Sequence, residues 1–406
     1  MREGWSKGTL GDLLSRRTDR LGSEPDPGVL TVSEEHGLVD QVAHWGRRIA
    51  TEDVSKYKVV NFGDVVYNIY LLWAGAIGQS RFDSQMVTSP VYEVFRPVEG
   101  VAPECVGLIL QDPKLLNLFD GISIGTVGRR RRAPWKDFLK VPVLVPPLHE
   151  QKRIVDLMDS ADAAISAAQA EVSAAEDFLR KIRSAIPVAA SSTPLGDLVK
   201  MRSGPSWKAA DETAVPGPGL EPVLGITNTP SSGQIDLSTR KYVRGLSATT
   251  QRLTENSLVM IRTNGNRSRI GNVYRSTPEV EGFAVSAFQI AIEPIDKSNS
   301  DFLYWVLGSD PVQDSITESA SGSTGLGNIA IGWLKRLGIP QLDESARTEY
   351  VENCNAANVL VTTSATALNC LRELRSSMLS VLLSGEHEIP ESYDQFLDLS
   401  EVGQAG

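Results

Sequence analysis

The stretch LVPPLHEQKRI, from Leu144 to Ile154, decides how this chain is built. Its two prolines cannot donate backbone hydrogen bonds, and a proline disfavours helix in the residue before it. The apolar run VPVLV at 141–145 therefore predicts the last strand of a globular domain. A helix is predicted to start directly after the prolines, because Glu150 places a negative charge in its first turn, where the helix dipole favours one.

This helix is predicted to be long and to need a partner. Apolar residues alternate at spacings of four and three, which is the heptad pattern of a coiled coil. Pro187 ends the pattern. The predicted seam consists of Ile154, Met158, Ala161, Ile165, Ala168, Val172, Ala175, Leu179, Ile182 and Ile186.

A second, more polar seam follows Pro340 and stops near Gly385. Each of the two helices could pack on its own domain. Because they occur at the same place in two related halves of the chain, we expect them to pair with each other. The second predicted seam consists of Tyr350, Asn353, Ala357, Leu360, Ser364, Ala367, Leu371, Leu374 and Met378.

The chain repeats itself over nearly half its length. LGDLLSRR at Leu10 returns as LGDLVKMR at Leu195, and GDVVYNIYLLWAGAIGQS at Gly63 returns as NSLVMIRTNGNRSRIGNV at Asn256. LRKIRSAI at Leu179 returns as LRELRSSM at Leu371. The order of the matches is the same in both halves, and a period this long indicates duplicated domains rather than a solenoid.

The repeat predicts five segments. Residues 1–148 and 188–343 form two related domains, in which runs such as YKVVNFGDVVYNIY and FAVSAFQIAIEPI predict strands. CVGLILQDPKLLNLF and DFLYWVLGSDPVQDSI predict short helices in equivalent places. Residues 149–187 and 344–385 are the long helices. Residues 386–406 are acidic and are expected to be disordered.

Composition is consistent with a cytoplasmic protein that carries no disulfide framework. The chain has 406 residues, three cysteines without CxxC spacing and a formal net charge of −10. Its apolar runs are too short to span a membrane. Residues 346–406 hold only 3 Lys or Arg against 9 Asp or Glu, so the two domains themselves are nearly neutral.

These motifs resemble those of the specificity subunits of type I restriction–modification systems. VPPLHEQKRI followed by a heptad helix matches the hallmark pattern of that family: Pro, Pro, Leu, any residue, Glu, Gln and then a hydrophobic residue three positions on, here Ile154. LGDL at the start of each half, GDVVYN, GAIG, VTSPVYEVFRP and GRRRRAPWKDFLKVPV agree as well. The resemblance covers nearly the whole chain. The second copy departs from it, since IPQLDESART lacks the second proline and the glutamine.

The resemblance implies an α+β fold, with two duplicated α/β target-recognition domains separated by two long helices that form an antiparallel coiled coil. Each domain would recognise one half of a split sequence in double-stranded DNA, and the helices would set the gap between the halves. The implied partners are two modification (methyltransferase) subunits and, where the system has them, restriction (translocase/nuclease) subunits.

Sequence signatures of catalysis are absent. The chain has no [DN]PP[YFW] box, no GxxxxGK[ST] loop, and its four histidines have no partners at metal-ligand spacing. We therefore expect a non-catalytic subunit without cofactor or metal. A protein scaffold built on a coiled coil, without DNA recognition, is the alternative, since the two domains are nearly neutral.

Two stretches of the first copy are candidate DNA contacts. GRRRRAPWK offers Arg129, Arg130, Arg131, Arg132 and Lys136, which suit phosphates and guanine edges. A solvated basic loop is the alternative. YNIYLLWAGAIGQ offers Tyr67 and Asn68, whereas Trp73 is expected to pack in the core.

In the second copy, the matching stretch is IRTNGNRSRIGN. Arg and Asn side chains suit guanine and adenine edges, and the glycine permits close approach. A polar hairpin loop is the alternative. The candidates are Arg262, Asn264, Asn266, Arg267 and Arg269.

Overall fold

The computed structural model describes residues 4–125, 131–231, 233–320 and 327–396. The chain divides into two compact units. Unit 1 joins the amino-terminal part, Met1–Ala167, to the carboxyl-terminal part, Ala367–Gly406. Unit 2 is Ala168–Thr366. Each unit therefore contains one domain together with half of each long helix.

The domain of unit 1 contains two four-stranded sheets and a terminal strand pair. The first sheet has the order β2-β9-β6-β7 and is antiparallel, the second has the order β4-β3-β8-β5 with β3 and β8 parallel, and β1 pairs with β10. The strands are β1 Ser6–Thr9, β2 Leu14–Arg17, β3 Val29–Ser33, β4 Gly37–Asp40, β5 Lys58–Val60, β6 Val65–Tyr67, β7 Ile77–Gln79, β8 Met86–Thr88, β9 Glu93–Pro97 and β10 Pro142–Val145. The helices are α1 Leu10–Leu13, α2 Gln41–Trp45, α3 Pro103–Ile109, α4 Pro113–Ile122 and α5 Trp135–Phe138, and the long helix α6 is Leu148–Ser184.

The domain of unit 2 is built in the same way. Its sheets have the orders β12-β20-β16-β18 and β13-β15-β14-β19, and β11 pairs with β22. The strands are β11 Ser192–Pro194, β12 Val199–Ser203, β13 Glu212–Thr213, β14 Leu220–Leu224, β15 Lys241–Arg244, β16 Leu258–Ile261, β17 Thr263–Asn264, β18 Val273–Arg275, β19 Ala284–Val285, β20 Gln289–Pro294, β21 Gly327–Asn328 and β22 Gly338–Pro340. The helices are α7 Leu195–Leu198, α8 Ser300–Leu307, α9 Asp310–Ser319 and α10 Ile331–Leu334, and the long helix α11 is Glu344–Leu383.

The predicted duplication and fold class are confirmed. Both copies of LGDL form a short helix between the first two strands of their domain, and the predicted pairs of short helices are α3 with α4 and α8 with α9. The first sheets have the same strand order, and β3/β8 and β14/β19 are parallel in both second sheets. The second sheets differ at their edges, because β5 and β13 have no counterparts in the other copy.

The first sheet lies between two apolar cores in each copy. Alternation along β6 sends Val65 and Tyr67 to a core shared with the helices, while Val66 faces the second sheet. In unit 2 Met260 likewise lies in the core shared with the helices, while Val259 faces the second sheet. The sheet is covered on both faces, so residues that meet solvent are concentrated in the loops at its ends.

The seam predicted for α6 is confirmed. Ile154, Met158, Val172 and Ala175 are buried, and the remaining seam positions are half-buried. The helices pair antiparallel in both units. In unit 1 Arg375 Nε lies 2.5 Å from Asp162 Oδ1, and in unit 2 Ser364 Oγ donates to Glu171 Oε1 at 3.2 Å.

The seam predicted for α11 is wrong at every second position. Asn353, Leu360, Ala367 and Leu374 are exposed, and the residue after each of them lies in the seam instead. The apolar signal was misleading, because Leu360 and Leu374 face outward while the polar residues Ser364 and Arg375 face the partner helix. The observed seam is Tyr350, Cys354, Ala357, Val361, Ser364, Leu368, Leu371, Arg375, Met378 and Leu382.

The stretch PPLHEQKR joins the first domain to α6, and four of its residues are buried: Pro146, Glu150, Gln151 and Arg153. The Gln151 side chain donates from Nε2 to Pro146 O at 2.9 Å and accepts at Oε1 from Ala102 N at 2.9 Å. It thereby ties the first turn of α6 to the start of α3. Ser345, the counterpart of Gln151 in the second copy, is exposed and has no such side chain, so this joint belongs to unit 1.

The GD pair of GDVVYN forms the tight turn into β6. Gly63 has a φ of +81°, which a side chain would strain. Asp64 is buried and accepts at Oδ2 from Asn61 N at 2.8 Å, and Arg17 Nε lies 3.3 Å from the same oxygen. Burial raises the pKa of Asp64 to about 6 despite these contacts. Ser257 closes the same turn in the second copy, where its hydroxyl accepts from Thr254 N at 2.8 Å.

The prediction of a disordered acidic tail is wrong for residues 386–396, while 397–406 lie outside the described residues. Ile389 is buried in the core of unit 1, and the Arg153 guanidinium contacts both oxygens of Asp394 at 2.5 Å. The Tyr393 hydroxyl donates to Asp156 Oδ2 at 2.7 Å. The acidic residue Asp394 thus pairs with a buried arginine of α6, which explains why this part of the tail is folded.

Candidate DNA interface

Three loops come together at one end of the first sheet in each copy. In unit 1, Tyr67 pairs with Glu93, so the loop after β6 and the turn before β9 leave the sheet side by side. A third segment joins them, because Ala133 N donates to Ile69 O at 2.8 Å. In unit 2 Ile329 N donates to Arg262 O at 3.0 Å, which matches the bond between Ala133 and Ile69. Arg262 N donates to Phe288 O at 2.8 Å and so joins the turn before β20 to the same loop.

The two basic stretches found in the sequence are therefore not counterparts. Ala133 matches Ile329, so GRRRRA of the first copy corresponds to the glycine-rich stretch that ends in GNI in the second. IRTNGNRSRIGN corresponds instead to the loop after β6. The predicted contacts of the second copy follow β16, whereas those of the first copy lie both after β6, at Tyr67 and Asn68, and in the arginine run. The sequence analysis already pairs IRTNGNRSRIGN with YNIYLLWAGAIGQ, and the structure agrees with that pairing.

The structure describes two arginines of the predicted run, Arg131 and Arg132. Arg129 and Arg130 lie outside the described residues. The prediction that Arg131 contacts DNA is corrected, because its side chain caps the carboxyl end of α4. Its Nη1 lies 2.5 Å from Asp120 Oδ1, and its Nη2 donates to Asp120 O at 2.6 Å and to Ser123 O at 3.1 Å. Arg132 is exposed, while its backbone pairs with that of Ile124.

A cation–aromatic cluster lies in the same part of unit 1. The Arg16 guanidinium lies 4.7 Å and the Lys136 ammonium 5.6 Å from the centre of the Trp135 ring. Arg16 also makes a two-pronged contact with Glu93, which in turn contacts Lys58 at 3.1 Å. Lys136 is exposed, as a DNA contact requires. Arg16 was not singled out from the sequence, because its neighbour across the sheet cannot be read from LGDLLSRR.

The predicted contact at Tyr67 is corrected by its burial. The side chain is 0% exposed, packs on Phe95 and Phe138, and donates its hydroxyl proton to Ala133 O at 3.1 Å. Burial raises the pKa of Tyr67 above its ordinary value. Alternation along β6 places this residue on the core face of the sheet. We therefore remove Tyr67 from the proposed contacts.

The rest of this loop lies at the surface. Asn68 is half-buried and accepts at Oδ1 from Tyr70 N at 3.0 Å, which closes an Asx turn. Trp73 was expected in the core but is half-buried, with its Nε1 donating to Tyr70 O at 2.9 Å and Arg131 5.5 Å from its ring centre. Tyr70 is exposed. The loop therefore presents aromatic surface beside Arg132.

In the second copy, Arg262 and Arg269 brace the loop from within. Arg262 Nη1 donates to Ser203 Oγ at 2.7 Å, and Arg269 Nη2 donates to Thr229 O. Both side chains are half-buried. These bonds hold the two ends of the loop, so we assign both arginines a supporting position rather than a place at the exposed tip.

The tip of this loop is polar and exposed. Gly265, Asn266, Arg267 and Ser268 are exposed, and Asn264 is half-buried. The Asn266 side chain caps the short 3-10 helix at Arg267–Arg269 by accepting from Ser268 N at 3.1 Å. Asn264 Oδ1 accepts from Asn266 N at 2.8 Å. These two bonds order the backbone of the tip, and Arg267 lies exposed within it.

The described residues contain neither a metal-binding cluster nor a helix suited to crossing a membrane. No group of three or more His, Cys, Asp or Glu side chains lies close enough together to hold a metal ion in the part of the chain that the structure describes. Of the described helices, none has both the length and the apolar character needed to cross a membrane.

Comparison with known proteins identifies the fold. No family model matches the sequence, and neither does any curated protein. A chain from a study of complex assembly and conformational transition of the type I R-M system matches with a TM-score of 0.61 and 15% identity, over 95% of this chain and 99% of that chain. An S subunit of a type I restriction–modification system from M. genitalium (TM-score 0.49, 12% identity, 95% and 97% coverage) and an HsdS subunit from Thermoanaerobacter tengcongensis (0.46, 15%, 95% and 98%) match less well.

The fold is therefore that of a chain of the type I restriction–modification system. The duplicated domains and the paired long helices of this chain accord with the sequence motifs that resemble those of specificity subunits.

Proposed function

We propose that this chain is the DNA sequence-specificity subunit of a type I restriction–modification complex. Each domain recognises one half of a bipartite double-stranded target through the three loops at the end of its first sheet. The chain docks two modification subunits, and restriction subunits where the system has them. It contributes recognition and assembly, while its partners contribute the chemistry.

The observation that carries this proposal is that one scaffold presents two different surfaces. The strands around the three loops have the same order and register in both copies, whereas the exposed side chains differ. The first copy presents Tyr70, Arg132 and Lys136, and the second presents Asn266 and Arg267. Conserved placement with changed side chains is what two readers of different half-sites require, because base-edge contacts depend on the side chain while phosphate contacts fix the position.

Exposed apolar residues on the long helices support the docking of partners. Phe178 and Leu360 are 49% and 45% exposed in unit 2, and Leu374 and Val381 are exposed in unit 1. They offer each unit an apolar surface that a helix of a modification subunit could cover.

The buried thiols give no support to an enzymatic role. Burial raises the pKa of Cys105 to about 12 and that of Cys354 to about 11, so both stay protonated at neutral pH. A thiol in this state is a poor nucleophile.

The proposal is tested by co-expressing the chain with modification subunits from the same genome and mapping methylated adenines by single-molecule sequencing. The expected result is one bipartite motif with a fixed gap. Replacing Asn266 and Arg267 with alanine should alter or abolish methylation at one half-site pattern, whereas Arg336→Ala should not. Arg336 is the matched control, since it is an exposed arginine of the same domain and follows α10 near the β11–β22 pair. Co-purification without any sequence-dependent methylation would favour the protein scaffold.

A further inference from the structure

Each copy exposes one large apolar side chain at the same position of its fold. Val91 is 45% exposed and Phe288 is 50% exposed. Val91 lies in the turn that leads into β9, two residues before Glu93, which pairs with Tyr67 of β6. Phe288 lies in the turn that leads into β20, two residues before Ile290, which pairs with Met260 of β16. The two side chains are therefore structural counterparts.

The backbone of this turn is fixed in both copies. Tyr92 N donates to Ser89 O, and Gln289 N donates to Ser286 O, each at 3.0 Å. In the second copy Phe288 O also accepts from Arg262 N at 2.8 Å and from Thr263 N at 3.2 Å. The fully buried Gln289 side chain holds the turn further, because its Oε1 accepts from Ser286 Oγ at 2.8 Å. Phe288 is thus presented on a rigid support that is bonded to the polar loop.

A single exposed apolar residue needs no explanation on its own. Recurrence at the same position of both copies, beside the loops that carry Arg132 in one copy and Asn266 and Arg267 in the other, is a different matter. These polar side chains match the donors and acceptors of base edges. The apolar group that a base pair presents in the major groove is the 5-methyl group of thymine.

We propose that Phe288 and Val91 contact the 5-methyl group of a thymine, each in the half-site that its own domain recognises. This inference rests on the proposed function and adds, in each domain, one residue that determines base identity. Phe288, as the larger side chain, covers more of the methyl group than Val91 does.

The test uses deoxyuridine, which pairs like thymidine but lacks the methyl group. The chain is assembled with its modification subunits, and binding is measured on the target duplex with deoxyuridine placed at one thymine at a time. At one thymine of the second half-site, the wild-type complex should bind about three- to five-fold more weakly, as expected for the loss of one buried methyl group. The Phe288→Ala complex should bind the two duplexes equally. Val91→Ala should have the same effect in the first half-site only.

Ile295→Ala is the matched control, because Ile295 is exposed and follows the other end of the same strand. This variant should keep the full deoxyuridine effect. Phe288→Val, which installs the residue of the first copy, should keep part of it. The inference is overturned if the wild-type complex tolerates deoxyuridine at every thymine, or if Phe288→Ala loses affinity by the same factor as the wild type. If the wild-type complex binds no bipartite target at all, the proposed function itself fails.

Discussion

Replacing the buried carboxylate Asp64 should change how the stability of the chain depends on pH. The side chain is 1% exposed, and burial raises its pKa from 3.8 to about 6. In Asp64→Asn an amide oxygen remains to accept from Asn61 N, while the titrating group is removed. The second copy already closes this turn with the neutral Ser257, so the scaffold tolerates a neutral acceptor here.

The expected magnitude follows from the two pKa values. The unfolded chain releases the Asp64 proton near pH 3.8 and the folded chain near pH 6, so the unfolded state binds fewer protons between these values. Stability is therefore lost as the pH rises from about 4 to about 6 and is constant above. The whole effect is about 3 kcal/mol, at about 1.4 kcal/mol for each tenfold change in the ionisation constant. Of this loss, about 1.4 kcal/mol occurs between pH 5 and pH 8.

The assay is urea unfolding of the full chain at pH 5 and pH 8. Unfolding is monitored by hydrogen exchange at the amides of Val65–Tyr67, so that the signal reports on this domain. Other titrating groups cancel when the variant is compared with the wild type at each pH. Asp64→Asn should gain about 1.4 kcal/mol relative to wild type on going from pH 5 to pH 8. The reasoning is refuted if the free energy of unfolding of Asp64→Asn, relative to wild type, is the same at the two pH values or is higher at pH 5 than at pH 8.

The other predictions concern the candidate interface, the long helices and the carboxyl-terminal segment. Arg267→Ala should reduce the slope of log binding constant against log salt by about 1 in the assembled complex. Arg131→Ala should leave that slope unchanged and lower the melting temperature; the reverse pattern would contradict both assignments. One heptad added to each helix, after residues 167 and 366, lengthens each helix by about 10 Å. The gap between the recognised half-sites should then widen by about three base pairs, measured as methylation of a library of targets with different gap lengths. An unchanged gap would contradict a spacer role. Truncation after Gly385 should lower the melting temperature because Arg153 loses Asp394, and Arg153→Met in the truncated chain should restore part of it.

Much of the fold could be predicted from the sequence because its signals are periodic. Proline, glycine and the LGDL repeat mark the boundaries of the copies, and the α6 seam is apolar at nearly every position. The α11 seam was misplaced at alternate positions for a physical reason. Arg375 lies in the seam because Asp162 of the partner helix neutralises it, and sequence alone does not show that partner.

The candidate interface was predicted less completely, since the role of a polar side chain depends on its neighbours. Arg131 and Arg132 are adjacent and identical in kind, yet one caps α4 and the other is exposed. Phe288 was not singled out, because an apolar residue before an apolar strand looks like part of the core. Its exposure is apparent only once the turn that precedes β20 is known.

Unit 1 has a consequence for how the chain is made. Its core combines Leu10 and Met158 with Leu379, Leu382 and Ile389, so its two parts leave the ribosome far apart in time. The roughly 220 residues between Met158 and Leu382 take about 10 to 45 s to synthesise at about 5–20 residues per second. Unit 2 is complete earlier, since all of its residues precede 367. The domain that is made first should therefore finish folding last, and its unfinished core is where a nascent chain would recruit chaperones.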